Sequence, residues 1–234
     1  MIREPVSDTS KAAAGTGYVP APWRLEGSGL ILLLKRHRGA RDPRWYAMAG
    51  SDELARPGIG VLMFVDYWHS EAGPYRELLF IPGRFRAGDR LRWSITRILV
   101  SSKESVAGGR ANWGIPKELG DFMLRHDPDG SRRLKVTQDG RPVADLAWRP
   151  RGPEVPVSTR LVPATLRTLI QRLDSREFLL APSARGAMGS ARVERLQTDP
   201  AMFPAVEPQE VMAAFSVPRF EMSFPPARIS PCRR

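Results

Sequence analysis

Of 234 residues, 36 are basic and 25 acidic, for a formal net charge of +11, and a composition of 42% hydrophobic and 26% charged residues excludes wholesale disorder. Five of the basic residues are lysines (Lys11, Lys35, Lys103, Lys117, Lys135) and the other 31 are arginines, scattered with no run of five, no zinc-ligand spacing and no helix-turn-helix pattern, so no specific nucleic-acid partner is expected. The single cysteine, Cys232, allows no intrachain disulfide and no apolar run reaches the length of a signal-peptide core or a membrane span, which points to a reducing, cytoplasmic setting without a membrane role.

In chain order, residues 1–20 read as a flexible lead, with Trp23 the first residue to dock. Residues 29–37 form a strand candidate, followed by a turn region over 38–44. The β-branched and aromatic run Gly58–His69 predicts a long strand, paired as a hairpin with Tyr75–Ile81. Residues 91–100 alternate apolar and polar side chains as one half-buried strand. Residues 105–114, with Gly108 and Gly109, read as a loop, and Pro116 predicts a short helix over 117–124. Asp139-Gly140 predicts a hairpin between strands 134–138 and 142–148. Residues 164–173 carry apolar side chains at helical spacing, in a segment short enough to be a strand instead. Residues 191–197 and 219–224 are late strand candidates, and the chain after Pro225 reads as a loose tail. Many short strands and little helix favour one mainly β domain, an antiparallel barrel or sandwich, over residues 21–228, with 229–234 as tail.

The chemistry centres on Lys117. It is one of few amines in a chain that otherwise uses arginine, and a guanidinium cannot be deprotonated to form an imine. Its neighbours Trp113, Ile115, Pro116 and Leu119 are apolar, which would desolvate the amine and lower its pKa. A place at a helix start would further disfavour the ammonium. The plain alternative is a surface lysine at a helix start. His37, His69 and His126 are far apart with no metal-ligand spacing, no phosphate loop is present, and no metal or cofactor is expected.

The stretch GGRANWGIPKEL (109 marks its second Gly) resembles the segment around the reactive lysine of acetoacetate decarboxylases. Gly73-Pro74-Tyr75-Arg76-Glu77 looks like that family's Tyr-x-Glu strand, and the ending from Met222 to Arg228 is similar in pattern. The resemblance runs from about Trp23 to Arg228. It implies an antiparallel β cone or barrel with a few peripheral helices and a buried site inside the cone. It also implies Lys117 as the Schiff-base lysine and Glu77 as an active-site acid on a facing strand. Acetoacetate decarboxylase is itself a standing example of a lysine activated by desolvation or by a neighbouring cation.

Here the family's second lysine is replaced by Glu118, a carboxylate that would favour the ammonium if it pointed the same way. The family arginine that meets the substrate carboxylate has no counterpart over 26–29, and a second family glutamate is matched only loosely by Asp66. Arg76 and Arg110 are the candidate substitutes for holding the substrate, with Tyr75, Trp113 and Glu118 completing the expected substrate contacts. The resulting expectation is a lyase-type enzyme that forms an imine with a small carbonyl compound, an oxo acid or a polyketide-like molecule. It would proceed by decarboxylation or by aldol and dehydration chemistry, as a homo-oligomer. Two alternatives remain: a small-molecule-binding protein in which Lys117 and Glu77 form a silent ion pair, and a polyanion binder.

Overall fold

A computed structural model describes residues 18–36 and 42–232. The chain builds β1 (Trp23–Arg36), one helical turn α1 (Pro43–Tyr46), the long hairpin β2 (Gly58–His69) and β3 (Tyr75–Ile81), then β4 (Arg84–Ala87), β5 (Arg90–Trp93) and β6 (Arg97–Val100). Helix α2 (Lys103–Trp113) leads into β7 (Lys117–Leu119), after which β8 (Asp121–His126), β9 (Arg132–Gln138) and β10 (Arg141–Ser158) form a meander. The short helix α3 (Ala164–Arg167) precedes β11 (Leu169–Leu173), β12 (Arg176–Leu180), β13 (Ser183–Thr198), β14 (Val211–Phe224) and β15 (Arg228–Pro231).

Ten strands form one sheet in the order β7-β6-β3-β2-β1-β14-β13-β10-β9-β8, and β15-β12-β11-β5-β4 form a second. The two ends of the large sheet, β7 and β8, are consecutive in the chain, separated only by Gly120. The sheet therefore curls into a nearly closed barrel. One set of alternate side chains fills it: Leu30, Leu32 and Leu34 of β1, Phe64 of β2, Leu78 and Phe80 of β3, and, from the far end of the strand order, Leu134 and Trp148. The intervening residues point to the other face, as the two-residue period of a strand requires. There Leu25, Val65, Tyr75, Leu79, Ile98 and Val217 pack under α2 and the second sheet.

The mainly β architecture and the β2–β3 hairpin agree with the sequence reading, as does the hairpin at Asp139-Gly140, where Arg141 pairs with Gln138. Trp23 is buried at the start of β1. Four local readings are corrected. Residues 105–114 belong to helix α2. The side chain of its N-cap Ser102 accepts from Ser105 N, and Gly114 ends it at φ 62°. Gly108 and Gly109 suggest a loop because each costs a helix about 1 kcal/mol relative to alanine. Packing overrides that cost: a Cβ at Gly108 would lie 2.4 Å from the Trp23 ring, and one at Gly109 would lie 2.6 Å from the Lys117 stem.

Residues 117–124 are two strands rather than a helix, because β7 pairs in parallel with β6 while β8 pairs with β9. The expected single strand over 91–100 is two, divided between the sheets, with Thr96 N donating to Phe80 O where the chain changes sheet. Residues 164–173 resolve into α3 and β11. Residues 229–231 of the expected loose tail belong to the edge strand β15, paired with β12 through Pro231, while 233–234 lie outside the described residues. Most of the predicted lead (1–17) and residues 37–41 of the turn region lie outside the described residues.

Candidate active site

Lys117 opens β7, and Ile98 of β6 is its partner in register. On the next strand Glu77 pairs with Val100 and Leu79 with Ile98, so Lys117, Glu77 and Tyr75 share one face. The Lys117 stem runs back along α2 in the groove left by Gly109, and its tip reaches Ser105. The amine donates to Ser105 Oγ at 2.9 Å and to Tyr75 Oη at 3.3 Å, and pairs with Glu77 Oε2 at 3.0 Å. An ammonium has three N–H donors, and each has a partner here. The phenol of Tyr67 donates to the other Glu77 oxygen in a long contact of 3.5 Å. The Tyr75 ring centroid lies 4.9 Å from the amine, adding a cation–π contact.

Lys117 is 3% exposed and Glu77 5%. Burial is the largest influence on the amine and pushes its pKa down. The Glu77 carboxylate, Tyr75 and their hydrogen bonds together push harder the other way, and the amine sits above the ordinary lysine range. In the resting site it is therefore an ammonium. The sequence expectation of a neutral amine counted the apolar neighbours but not the carboxylate brought beside it from β3. Burial raises the Tyr75 phenol to about 12, with Lys117 opposing and Glu77 adding to that shift. It raises the Tyr67 phenol well above its usual value, with Glu77 again adding.

These groups sit at the floor of a cavity of about 230 Å³. Trp23, Met63, Ile98, Ile115 and Phe224 form apolar walls, while Thr159, Arg167 and Ser183 stand where the chain is more exposed, at the mouth. The site thus lies outside the barrel lumen, between the barrel wall, α2 and the second sheet, rather than inside the cone. Trp113 lines it too. Its ring stands edge-on to Trp23 at 5.0 Å, and its indole N–H donates to Pro225 O at 2.8 Å.

Three expected contacts lie elsewhere. Arg76 points to the opposite face of β3, where it pairs with Asp66 at 3.0 Å. Glu118 points away from Lys117 by the same alternation, in register with Leu99 of the lumen face. It pairs with Arg97 at 2.6 Å and accepts from Gln138 at 2.9 Å. Partial burial raises its pKa, but the bonds to Arg97 and Gln138 outweigh this and hold it below the usual range. Arg110 is exposed on α2 and donates to Lys117 O at 3.4 Å, so it supports the backbone of β7 without reaching the cavity. Sequence reasoning did not find Ser105, Tyr67 or Arg167. Tyr67 had a usable signal, since in the β2–β3 hairpin it is the direct partner of Tyr75.

A sequence profile of the acetoacetate decarboxylase family matches residues 53–202, which is well over half of the chain and includes both Glu77 and Lys117. The chain belongs to the acetoacetate decarboxylase family. The fold is likewise that of solved acetoacetate decarboxylases. The enzyme from Legionella pneumophila subsp. pneumophila str. Philadelphia 1 aligns at TM-score 0.66 and 13% identity, over 96% of this chain and 92% of that one. An acetoacetate decarboxylase-like enzyme from Sphingomonas wittichii RW1 aligns at TM-score 0.64 and 13% identity, over 97% and 100%. The enduracididine biosynthesis enzyme MppR, complexed with pyruvate, aligns at TM-score 0.59 and 18% identity, over 96% and 95%. No curated protein sequence matches significantly. Among the described residues no helix is long and apolar enough to cross a membrane.

Proposed function

We propose that this acetoacetate decarboxylase family member is a cytoplasmic lyase that forms an imine between Lys117 and a small carbonyl substrate. The observation that carries the reading is the buried Lys117 amine, 3.0 Å from Glu77, at the floor of an apolar cavity. The amine must lose a proton before it attacks, and Glu77 Oε2 stands ready to accept it. A substrate filling the cavity displaces water from the pair, and a drier site favours the neutral amine and carboxylic acid over two charges. The amine nitrogen then adds to the carbonyl carbon, Glu77 returns the proton to the oxygen, and water leaves. The resulting iminium faces the Glu77 carboxylate and withdraws electrons from the adjacent carbon. That sink serves the loss of carbon dioxide from a 3-oxo acid and equally the enamine route to aldol addition and dehydration. Structural relatives of both kinds support this breadth: acetoacetate decarboxylases, and MppR complexed with the condensation product of pyruvate and imidazole 4-carboxaldehyde. Borohydride reduction in the presence of a panel of 2-oxo and 3-oxo compounds is expected to add mass at Lys117, and no adduct across the panel would refute the imine.

One observation favours a second reading. All three donors of the ammonium are satisfied within the protein, as in a purely structural ion pair. On that reading the cavity binds an apolar ligand without turnover, and ligand binding would persist with no adduct at Lys117.

We also propose self-association. The far half of β10 and the segment up to α3 expose Val155, Val157, Leu161 and Leu166, and Leu161 is 88% exposed. Sedimentation of the Leu161→Asp variant is expected to show a smaller species than the wild type, and an unchanged species would remove this surface from consideration.

A further inference from the structure

The cavity holds a second cation besides Lys117. Arg167, the last residue of α3, lines its mouth and is half-buried. Its Nε donates to Val162 O at 3.4 Å, and its Nη1 donates to Ala181 O at 2.7 Å and, in a shorter contact, to Pro182 O. A guanidinium has five N–H donors in a rigid planar fork. Those three bonds use the Nε and Nη1 hydrogens and fix the plane of the group. The two Nη2 hydrogens have no partner among the described residues, and no carboxylate pairs with Arg167 there. Lys117 is different, because its charge is already matched by Glu77. An immobilised cation with two free donors, beside apolar walls and partly shielded from water, is a place for an anion.

We infer that Arg167 is the anion-binding and specificity-determining residue of this cavity, and that its ligands are apolar carboxylic acids whose carboxylate lies at the mouth on Nη2. Combined with the imine reading, on which this half rests, the substrate is an oxo acid with its carbonyl at Lys117 and its carboxylate at Arg167. An ion pair with Arg167 stabilises the carboxylate, so it favours reactions that keep that group over reactions that expel it.

Binding of hexanoate and of hexanamide to the full chain, measured by calorimetry, tests the inference. Hexanoate has no ketone and forms no imine, so the result holds whether or not Lys117 reacts. The wild type is expected to bind hexanoate about tenfold tighter than hexanamide. Arg167→Gln, which keeps donors for the carbonyls but loses the charge, is expected to abolish the preference for hexanoate over hexanamide. Arg167→Lys is expected to retain most of it. The inference is overturned if the wild type shows no preference, or if Arg167→Gln keeps the preference in full. Equal loss of both probes in Arg167→Lys also overturns it, because Arg167 would then only staple the loop.

Discussion

Two sets of charged side chains alternate along the same two strands and meet different surroundings. Tyr75, Glu77 and Lys117 face the cavity, while Arg76, between the first two, and Glu118, next to the third, face the other way. Both sets form ion pairs, and contact length does not rank them. Arg76–Asp66 and Lys117–Glu77 are both 3.0 Å long. The side chains of the first pair are 35% and 31% exposed, and those of the second 4% and 7%. Water screens the first, and such pairs contribute about 0.2–1 kcal/mol. Removing one partner of the second strands a charge in an apolar pocket, at a cost of about 3–5 kcal/mol. Burial thus decides which pair matters, and strand alternation decides which residues are buried.

The largest expected effects break the cavity set. Lys117→Arg keeps a cation for Glu77 but cannot form an imine, so turnover and borohydride trapping should fall about a thousandfold or more with the fold intact. Trapping that survived in this variant would end the imine reading. Lys117→Met removes the cation as well and should lower stability in urea by about 3–5 kcal/mol. Glu77→Gln removes the proton acceptor and should slow turnover by about 10²–10⁴-fold, read as a fall in kcat.

Smaller changes, of opposite sign, are expected from Tyr75→Phe and Ser105→Ala, each of which deletes one partner of the ammonium and so eases its deprotonation. About 1–2 kcal/mol per bond corresponds to roughly a tenfold faster trapping rate. The smallest effects fall on the other face. Glu118→Gln and Arg76→Gln should leave trapping within about threefold of the wild type. A tenfold change in either would show that the two faces communicate.

Titration sharpens the same contrast. The Lys117 amine and the Tyr75 phenol both have folded pKa values above their unfolded ones, and Tyr75 reaches about 12. The folded state therefore holds these protons more tightly than the unfolded chain. Their contribution to stability is fully present below pH ~10 and is lost as pH rises through the folded values. Urea midpoints should fall steeply above pH ~10 in the wild type, and less steeply in a Tyr75→Phe, Lys117→Met double variant. Glu118 is held below its usual range, so its contribution is present above the ordinary carboxylate pKa and lost as pH falls through the lowered one. Acid, not alkali, should thus weaken the pair on the other face.

Much of this arrangement was legible from local pattern. The β2–β3 hairpin follows from its β-branched and aromatic runs, and Lys117 stands out as a candidate amine by its rarity and apolar neighbours. Even the outward turn of Arg76 and Glu118 follows from strand alternation once 75–77 and 117–119 are strands. What hid it for Glu118 was Pro116, which reads as a helix start, so that 117 and 118 were placed on a helix where no such alternation holds. Gly108 and Gly109 misled in the complementary way. Their helix exists because Trp23 and the Lys117 stem fill the space their missing side chains leave, contacts that span 85 and 8 residues.

By itself, then, the sequence determined the mainly β class, the β2–β3 hairpin and Lys117 as a candidate amine, because each depends on neighbours within a few residues, while Glu77 was singled out only through the family resemblance. The tertiary structure alone decided which face of the sheet holds the site, that the amine rests as an ammonium, that Ser105 meets that amine, and that Arg167 lines the cavity. Those outcomes depend on groups brought together from distant parts of the chain, and the balance between burial and a facing carboxylate exists only once they meet.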